Sequence, residues 1–239
     1  MAGYINASKI WQHQGRFKKG LEPVSAEMIM TNFCNYDCSY CRYKHGEGYI
    51  SYDDFVWAAN KLCGLGVRGF ILTGGGEPIL NPDLDRIVEW FNYSGMEYGI
   101  NTNLTKPFKG GAKWLKVSMH ENGDQERVLA NIKKTRADNP GMVLGIQGIV
   151  EKPGDGKRFY EKHKDVECDY IALRPLEVKH EAYTDEGLKE IRKELEALKR
   201  ADDRIAINYK WDMMGTKFEE CTANWTVITV DWNLDVWYC

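Results

Sequence analysis

Short apolar runs rich in β-branched and aromatic residues alternate with helical patterns along most of this 239-residue chain. Six strand-like runs are expected, and a further run follows near residues 204–209. The six runs are residues 26–30, 68–73, 96–102, 114–119, 142–150 and 168–173. This alternation predicts an α/β fold with a parallel sheet, curled into a barrel or an open partial barrel with helices outside. Residues with chemical roles are then expected in the loops at the carboxyl ends of the strands.

The loop after the first expected strand holds three cysteines within eight positions. Cys34, Cys38 and Cys41 have the spacing C-x3-C-x2-C, and Tyr40 directly precedes the last of them. Three thiolates this close can converge on one inorganic centre if the segment loops around it. A four-iron cubane normally takes four protein thiolates, so three protein ligands would leave one iron open for a substrate or cofactor.

Two other interpretations of the cysteines stay open at this point. His45 could act as a fourth ligand in a structural zinc site. Alternatively, Cys38 and Cys41 have the spacing of a redox-active dithiol pair. Neither interpretation explains the glycine-rich loop that follows the second expected strand, so an iron–sulfur centre is favoured.

That second loop, residues 74–78, has the sequence Gly-Gly-Gly-Glu-Pro. It lacks the G-x-G-x-x-G pattern and the lysine of a P-loop, which disfavours binding of nucleotide phosphates. Glycines let a ligand approach the backbone closely, although a tight turn at a strand end would also need them. Because Glu77 adds a carboxylate that suits an ammonium group, the loop is suited to an amino-acid headgroup.

Composition narrows the class of protein. Thirty-two basic and 35 acidic residues are nearly balanced, so binding to nucleic acid or to an acidic membrane is not expected. Neither a signal peptide nor a membrane-spanning run is recognisable, and a soluble, cytoplasmic protein is expected. Seven cysteines in such a chain indicate metal binding or redox chemistry rather than disulfides. Cys63 and Cys168 stand alone and are expected to pack in the core.

The cysteine spacing, with Gly-Gly-Glu-Pro after the next strand, resembles the radical S-adenosylmethionine (SAM) enzymes. The resemblance covers residues 24–208 and implies a partial (β/α)6 TIM-type barrel. It also implies that Cys34, Cys38 and Cys41 hold a [4Fe-4S] cluster whose open iron is chelated by the amino and carboxylate groups of SAM. The implied division of the chain is an N-terminal arm (1–22), the barrel core (23–210) and a C-terminal extension (211–239).

The same resemblance implies roles for single residues around the cluster. Gly75, Gly76 and Glu77 would receive the methionyl amino group, and Tyr40 would lie near the adenine. The full implied SAM-binding set is Tyr40, Gly75, Gly76, Glu77, Asn101, Thr102, Ser118 and Gln147. His120 and Arg174 are the expected catalytic residues. Leu104 departs from the pattern, because the family usually has a glycine after the polar end of the third strand.

The tail predicts a β-hairpin, because strand-like residues 225–230 and 236–238 flank a turn rich in Asn and Asp. It resembles the start of the SPASM or twitch extension, which binds auxiliary iron–sulfur clusters, with Asn233 in place of the usual turn glycine. Cys221 and Cys239 would then be ligands of an auxiliary cluster, and otherwise buried thiols. The extension is expected to be incomplete, since no further cysteines follow.

The chemistry implied by the resemblance is reductive cleavage of SAM to methionine and a 5′-deoxyadenosyl radical, which abstracts hydrogen from a substrate. The electron would come from a donor such as flavodoxin or ferredoxin. A small sugar- or alcohol-like substrate is expected, because residues 1–22 contain no recognisable peptide-binding domain. A peptide-modifying enzyme and a non-catalytic zinc-binding protein are the alternatives.

Overall fold

The computed structural model describes residues 23–41, 43–121, 123–176, 183–208, 210–213 and 227–237. Seven strands run parallel, each beside the next in chain order, which confirms the predicted α/β class. These strands are β1 (Ser25–Ile29), β2 (Gly69–Thr73), β3 (Glu97–Thr102), β4 (Trp114–Ser118), β5 (Val143–Val150), β6 (Tyr170–Pro175) and β7 (Ile205–Ile207). Their carboxyl ends lie at one edge of the sheet, as the partial barrel of the sequence prediction requires.

Helices follow most of the strands and cover the sheet. They are α1 (Tyr52–Gly64), α2 (Leu84–Ser94), α3 (Gln125–Asp138), α4 (Asp155–His163), α5 (Asp185–Ala201) and α6 (Lys210–Met213), with a 3-10 turn at Pro78–Leu80. The helices α1 and α5 begin after Ser51 and Thr184, whose side chains accept hydrogen bonds from Asp54 N and Gly187 N.

An aromatic cluster fixes α1 and α2 against the strands whose ends carry the site. Phe55 of α1 and Phe70 of β2 are fully buried, and both pack edge-on against Phe91 of α2 at ring-centroid distances of 5.6 and 5.5 Å. Phe91 also stacks on Tyr98 of β3 at 4.3 Å. Since buried aromatic pairs add stability beyond their area, this cluster fixes α1 and α2 to the amino-terminal parts of β2 and β3.

The predicted C-terminal hairpin is present, but it belongs to the main sheet. Strand β8 (Val227–Val230) pairs in parallel with β1, and β9 (Val236–Trp237) pairs antiparallel with β8. Backbone hydrogen bonding to the otherwise open edge of β1 explains this placement. Cys221 and Cys239 lie outside the described residues.

The hairpin turn is organised by the buried Asp231. Its carboxylate accepts hydrogen bonds from Asn233 N, Asp235 N and Trp237 Nε1 at 2.9–3.0 Å. The left-handed backbone conformation falls on Leu234, with φ of 67°, rather than on Asn233. Within the described part of the chain, no helix is long and apolar enough to cross a membrane.

Candidate functional site

A cavity of about 230 Å³ lies where the ends of β2 to β6 meet the cysteine loop, defined as residues 33–47. The structure brings to its wall all the predicted site residues that it describes. They are Cys34, Cys38, Cys41, Tyr40, Gly75, Gly76, Glu77, Asn101, Thr102, Ser118, His120, Gln147 and Arg174. Strand ends that are distant in sequence therefore converge as the parallel topology requires, and the roles of these residues stay predictions.

Both ends of the cysteine loop are held together by Asn32 and Gly48. Asn32 N donates to Gly48 O at 3.0 Å, and Gly48 N donates to the Asn32 side-chain oxygen at 2.7 Å. Beneath them, the buried Asn81 donates through Nδ2 to Met30 O and Ile50 O at 2.9 and 3.0 Å. Sequence reasoning missed Asn32 and Asn81, because an isolated asparagine carries no pattern that identifies its partner.

The glycine-rich loop contacts the cysteine loop backbone to backbone. Gly76 N donates to Thr31 O at 2.9 Å, and Glu77 N donates to Phe33 O at 2.8 Å. A Cβ at Gly76 would lie 1.9 Å from Phe33 O, and one at Gly75 would lie 2.8 Å from Tyr43 Cδ1. The glycines are therefore needed for the close approach of two loops, whatever they also do for a ligand.

Glu77 joins the glycine-rich loop to the end of β3. Its buried carboxylate accepts hydrogen bonds from Thr102 Oγ1 at 2.6 Å, Asn103 N at 2.6 Å and Ile79 N at 3.1 Å. Burial raises the pKa of Glu77 to about 7, and these three donors offset part of that increase. The carboxylate thus already accepts hydrogen bonds from three protein donors. Its predicted contact with an ammonium group would be a fourth interaction.

The polar end of β3 also reaches the cysteine loop. Asn103 Nδ2 donates to Asn35 Oδ1 at 2.9 Å, and Asn35 Nδ2 donates to Thr105 Oγ1 at 2.8 Å. The fully buried Leu104 has a φ of 52°, a conformation that glycine adopts without strain. The departure from the usual glycine thus leaves the left-handed turn in place and adds an apolar side chain to the core.

Tyr40 and His120 meet between the cysteine loop and the end of β4. Tyr40 OH lies 2.6 Å from His120 Nδ1, and Cys38 Sγ lies 3.4 Å from the same nitrogen. Burial lowers the pKa of His120 and raises the pKa of Tyr40. Both pKa shifts fit a protonated Tyr40 that donates a hydrogen bond to a neutral His120. This bond uses Nδ1, the ring nitrogen of His120 that faces the cysteine loop.

A polar row crosses the sheet at the ends of β4, β5 and β6. Gln147 Nε2 donates to Ser118 Oγ at 2.7 Å, and Arg174 Nη1 lies 3.4 Å from Gln147 Oε1. On β3, the buried Oδ1 of Asn101 has no hydrogen-bond partner among the described residues. A donor from a bound ligand would satisfy this oxygen, because buried acceptors are normally paired.

A second cavity of about 530 Å³ lies beside the first and shares its wall of Tyr36, Cys38, Tyr40 and His120. Its charged lining comes from the cysteine loop, from the loops after β4 and β5, and from α4: Asp37, Glu121, Glu151, Lys152, Asp155 and Arg158. Ion pairs join Arg158 to Asp155 at 3.0 Å and to Glu121 at 3.6 Å. No sequence pattern indicates this cavity, because its charged residues are scattered over three loops and α4.

The zinc interpretation finds limited support in this geometry. His45 Nε2 lies 3.7 Å from Cys41 Sγ, which is close enough for two ligands of one ion. However, the described residues contain no group of three or more Cys, His, Asp and Glu side chains that could hold a metal ion. Three thiols spaced around a cavity suit a larger centre with several metal atoms.

Gly76→Ala should strongly destabilise the protein, because the new methyl group would collide with the backbone at Phe33 O. We expect a loss of unfolding free energy of about 3 kcal/mol or more. Gly64→Ala is the matched control: a Cβ there has no atom within 4 Å, so the change should be neutral or slightly stabilising. Urea denaturation of the metal-free proteins measures both values, and equal stabilities of the two variants would contradict the steric role of Gly76.

Glu77→Gln should remove a pH dependence of stability. The pKa of Glu77 is raised from 4.5 to about 7, so the folded protein binds this proton more tightly than the unfolded chain. The associated stability is fully present below the unfolded pKa and is lost as the pH rises through about 7, with an upper bound of about 3 kcal/mol. Urea denaturation of the metal-free wild type and Glu77→Gln should show that the difference between their free energies of unfolding changes between about pH 5 and pH 8. Parallel profiles would contradict the assignment.

Comparison with known proteins identifies the family. Residues 28–149 match the family model of the radical SAM superfamily, whose members use a [4Fe-4S] cluster and SAM. A GTP 3′,8-cyclase of Staphylococcus saprophyticus is 34% identical over 178 residues, covering 60% of this chain and 52% of that protein. A probable GTP 3′,8-cyclase of Pyrobaculum aerophilum is 30% identical over 117 residues, covering 43% and 36%. This chain thus spans about half or less of the curated relatives it matches.

Solved structures agree in fold. Streptococcus suis SuiB bound to the precursor peptide SuiA has a TM-score of 0.71 at 13% identity, with 98% of this chain and 63% of SuiB covered. The structure of anSMEcpe with bound AdoMet and the Cp18Cys peptide has a TM-score of 0.62 at 16% identity, with 91% and 74% covered. At such identities the likeness concerns the fold alone, and the match of the family model to half of the sequence shows that this chain belongs to the radical SAM superfamily.

Proposed function

We propose that this protein is a radical SAM enzyme in which Cys34, Cys38 and Cys41 hold the [4Fe-4S] cluster. The observation that carries the proposal is the meeting of the cysteine loop and the glycine-rich loop over one cavity at the carboxyl ends of the strands. When bound, the cluster and SAM supply a 5′-deoxyadenosyl radical through reductive cleavage of the sulfonium bond. The remaining steps depend on how the chain binds, orients and shields the reactants.

The residues around the cavity suit such a cofactor. Three free thiols are the ligands that iron–sulfur clusters prefer, and the cavity wall holds no fourth cysteine among the described residues. The unpaired Oδ1 of Asn101 would accept a hydrogen bond from SAM. Gly75 and Gly76 would present backbone groups to the methionyl amino group, while Glu77 fixes their loop.

Further residues would orient the ligands and exclude water. Thr102, Ser118 and Gln147 offer hydrogen-bonding groups at successive strand ends, and Arg174 adds a positive charge for a carboxylate. The Tyr40–His120 pair closes one side of the cavity. Excluding water there would protect a radical from quenching.

The charged side chains that line the second cavity indicate which charge a substrate can carry. Four carboxylates and two basic side chains line it, and burial keeps His120 neutral. Such a lining disfavours a polyanion, and therefore argues against GTP even though curated relatives are GTP 3′,8-cyclases. We propose a small, uncharged or cationic polar substrate, in keeping with the expected sugar- or alcohol-like molecule.

A peptide is the second candidate, because charged side chains at the rim of this cavity are exposed to solvent. Both SuiB and anSMEcpe have been solved with peptides, and a peptide residue here would enter past the exposed charged side chains of the rim.

Electron delivery is proposed to take place at the exposed Cys41, since Cys34 and Cys38 are more buried. A flavodoxin or ferredoxin of the cytoplasm would be a suitable donor. An auxiliary cluster at Cys221 and Cys239 also stays a proposal.

Cys38→Ala should abolish cluster binding and SAM cleavage, whereas Cys63→Ala should affect neither. Cys63 is the matched control because it lies on α1, away from the cavity wall. After anaerobic reconstitution, the wild type and Cys63→Ala should each contain about four irons and four sulfides more than Cys38→Ala, and both should form 5′-deoxyadenosine from SAM and dithionite. A colourless wild-type protein that binds one zinc and never cleaves SAM would contradict the proposal.

Deuterium transfer should identify the substrate. Deuterium-labelled sugars, alcohols and peptides are incubated with the reduced enzyme and SAM, and 5′-deoxyadenosine is analysed by mass spectrometry. Label is expected from a small neutral or cationic compound and not from GTP. Transfer from a peptide alone would replace the preferred substrate class, and transfer from GTP would refute the charge argument.

A further inference from the structure

The C-terminal hairpin contacts the base of the cysteine loop through one tryptophan. A Cβ placed on Gly48 would lie 2.5 Å from Trp232 Nε1 and 2.7 Å from Trp232 Cδ1. The edge of the indole therefore lies directly on the Gly48 backbone, and any side chain at this position would have to displace Trp232.

Gly48 is the residue at which the cysteine loop closes. Its carbonyl accepts hydrogen bonds from Asn32 N at 3.0 Å and Thr31 Oγ1 at 2.6 Å, and its N–H donates to Asn32 Oδ1 at 2.7 Å. All three cysteines lie between Asn32 and Gly48. A side chain that presses on Gly48 therefore acts on the closure of the whole loop.

Trp232 is itself held rigidly. The preceding residue, Asp231, fixes the turn with three hydrogen bonds, and Trp232 packs against the hydrophobic core. Strand β8, which leads into this turn, pairs in parallel with β1, which leads into the cysteine loop. The two turns thus leave neighbouring strands at the same edge of the sheet.

From this geometry we propose that the β8–β9 hairpin positions the cysteine loop, and that Trp232 is the positioning residue through which it acts. One consequence of this proposal rests on the proposed function: the hairpin would stabilise the arrangement of the three cysteines that the cluster needs. The mechanical coupling itself does not depend on a cluster and can be measured in the metal-free protein.

The first test is limited proteolysis of the metal-free full chain. Lys44 lies exposed within the cysteine loop, and Lys109 lies exposed in the loop after β3 and is followed by a glycine. Trp232→Ala should make tryptic cleavage after Lys44 several-fold faster and leave cleavage after Lys109 unchanged. Trp232→Phe, which keeps a ring over Gly48, should restore most of the protection. Trp57→Ala, at an exposed tryptophan of α1, is the matched control and should change neither rate.

The second test follows the cluster. After anaerobic reconstitution, Trp232→Ala should lose iron to a chelator faster than the wild type. The electron paramagnetic resonance spectrum of its reduced cluster, with and without SAM, should differ from that of the wild type. Trp232→Phe should resemble the wild type in both measurements. Gly48→Ala retains the tryptophan but displaces it, and should reproduce the selective cleavage after Lys44 if Trp232→Ala fails to fold.

Equal cleavage after Lys44 in wild type, Trp232→Ala and Gly48→Ala would overturn the proposal. Faster cleavage at both lysines in these variants would also overturn it, since that result indicates general destabilisation. A wild type that binds no cluster would contradict the proposed function instead, and the comparison of cleavage rates in metal-free protein would still decide the role of Trp232.

Discussion

The contact between the backbones of the cysteine loop and the glycine-rich loop is the constraint on which the site depends. Gly76 can lie against Phe33 O only because it has no Cβ, and two hydrogen bonds then join the loops. Parallel pairing of β1 with β2 brings the loop starts side by side, so the contact follows from the sheet register. The three thiols proposed to hold the cluster and the proposed amino-group site thereby lie at one edge of the sheet, although about 40 residues separate them in sequence.

Polar side chains, rather than apolar packing, then extend this edge across the sheet. Glu77 links the glycine-rich loop to β3, and Asn103 links β3 to Asn35 of the cysteine loop. Burial disfavours the charged form of Glu77, and three hydrogen-bond donors offset only part of this cost. Removing any member of such a buried polar network would destabilise the protein, because its partners would lose their hydrogen bonds. The complete network specifies one arrangement of the loops. Apolar burial in the core, including the aromatic cluster around Phe91, stabilises the fold and offsets the cost of burying these polar groups.

The sequence predicts this fold well because the signal is repeated in every strand–helix unit. Patterns with fixed spacing, such as Cys34, Cys38 and Cys41, also predict which residues meet at the cavity. Asn32 and Asn81 could not be found in this way, because their hydrogen bonds join backbone groups that are remote in sequence. The hairpin could be predicted as a local structure. Its pairing with β1 is a long-range choice that local propensity does not encode.

The wall of Tyr40 and His120 connects the two cavities chemically as well as spatially. Tyr40 and His120 line both cavities, and neither side chain can turn away from the other without breaking the 2.6 Å contact between Tyr40 OH and His120 Nδ1. A molecule that enters the second cavity would pass the exposed charged groups at its rim before it reaches the two aromatic rings. A radical formed in the first cavity, as proposed, would stay separated from the second cavity unless this pair moves apart, so the Tyr40–His120 contact would control which molecules reach it.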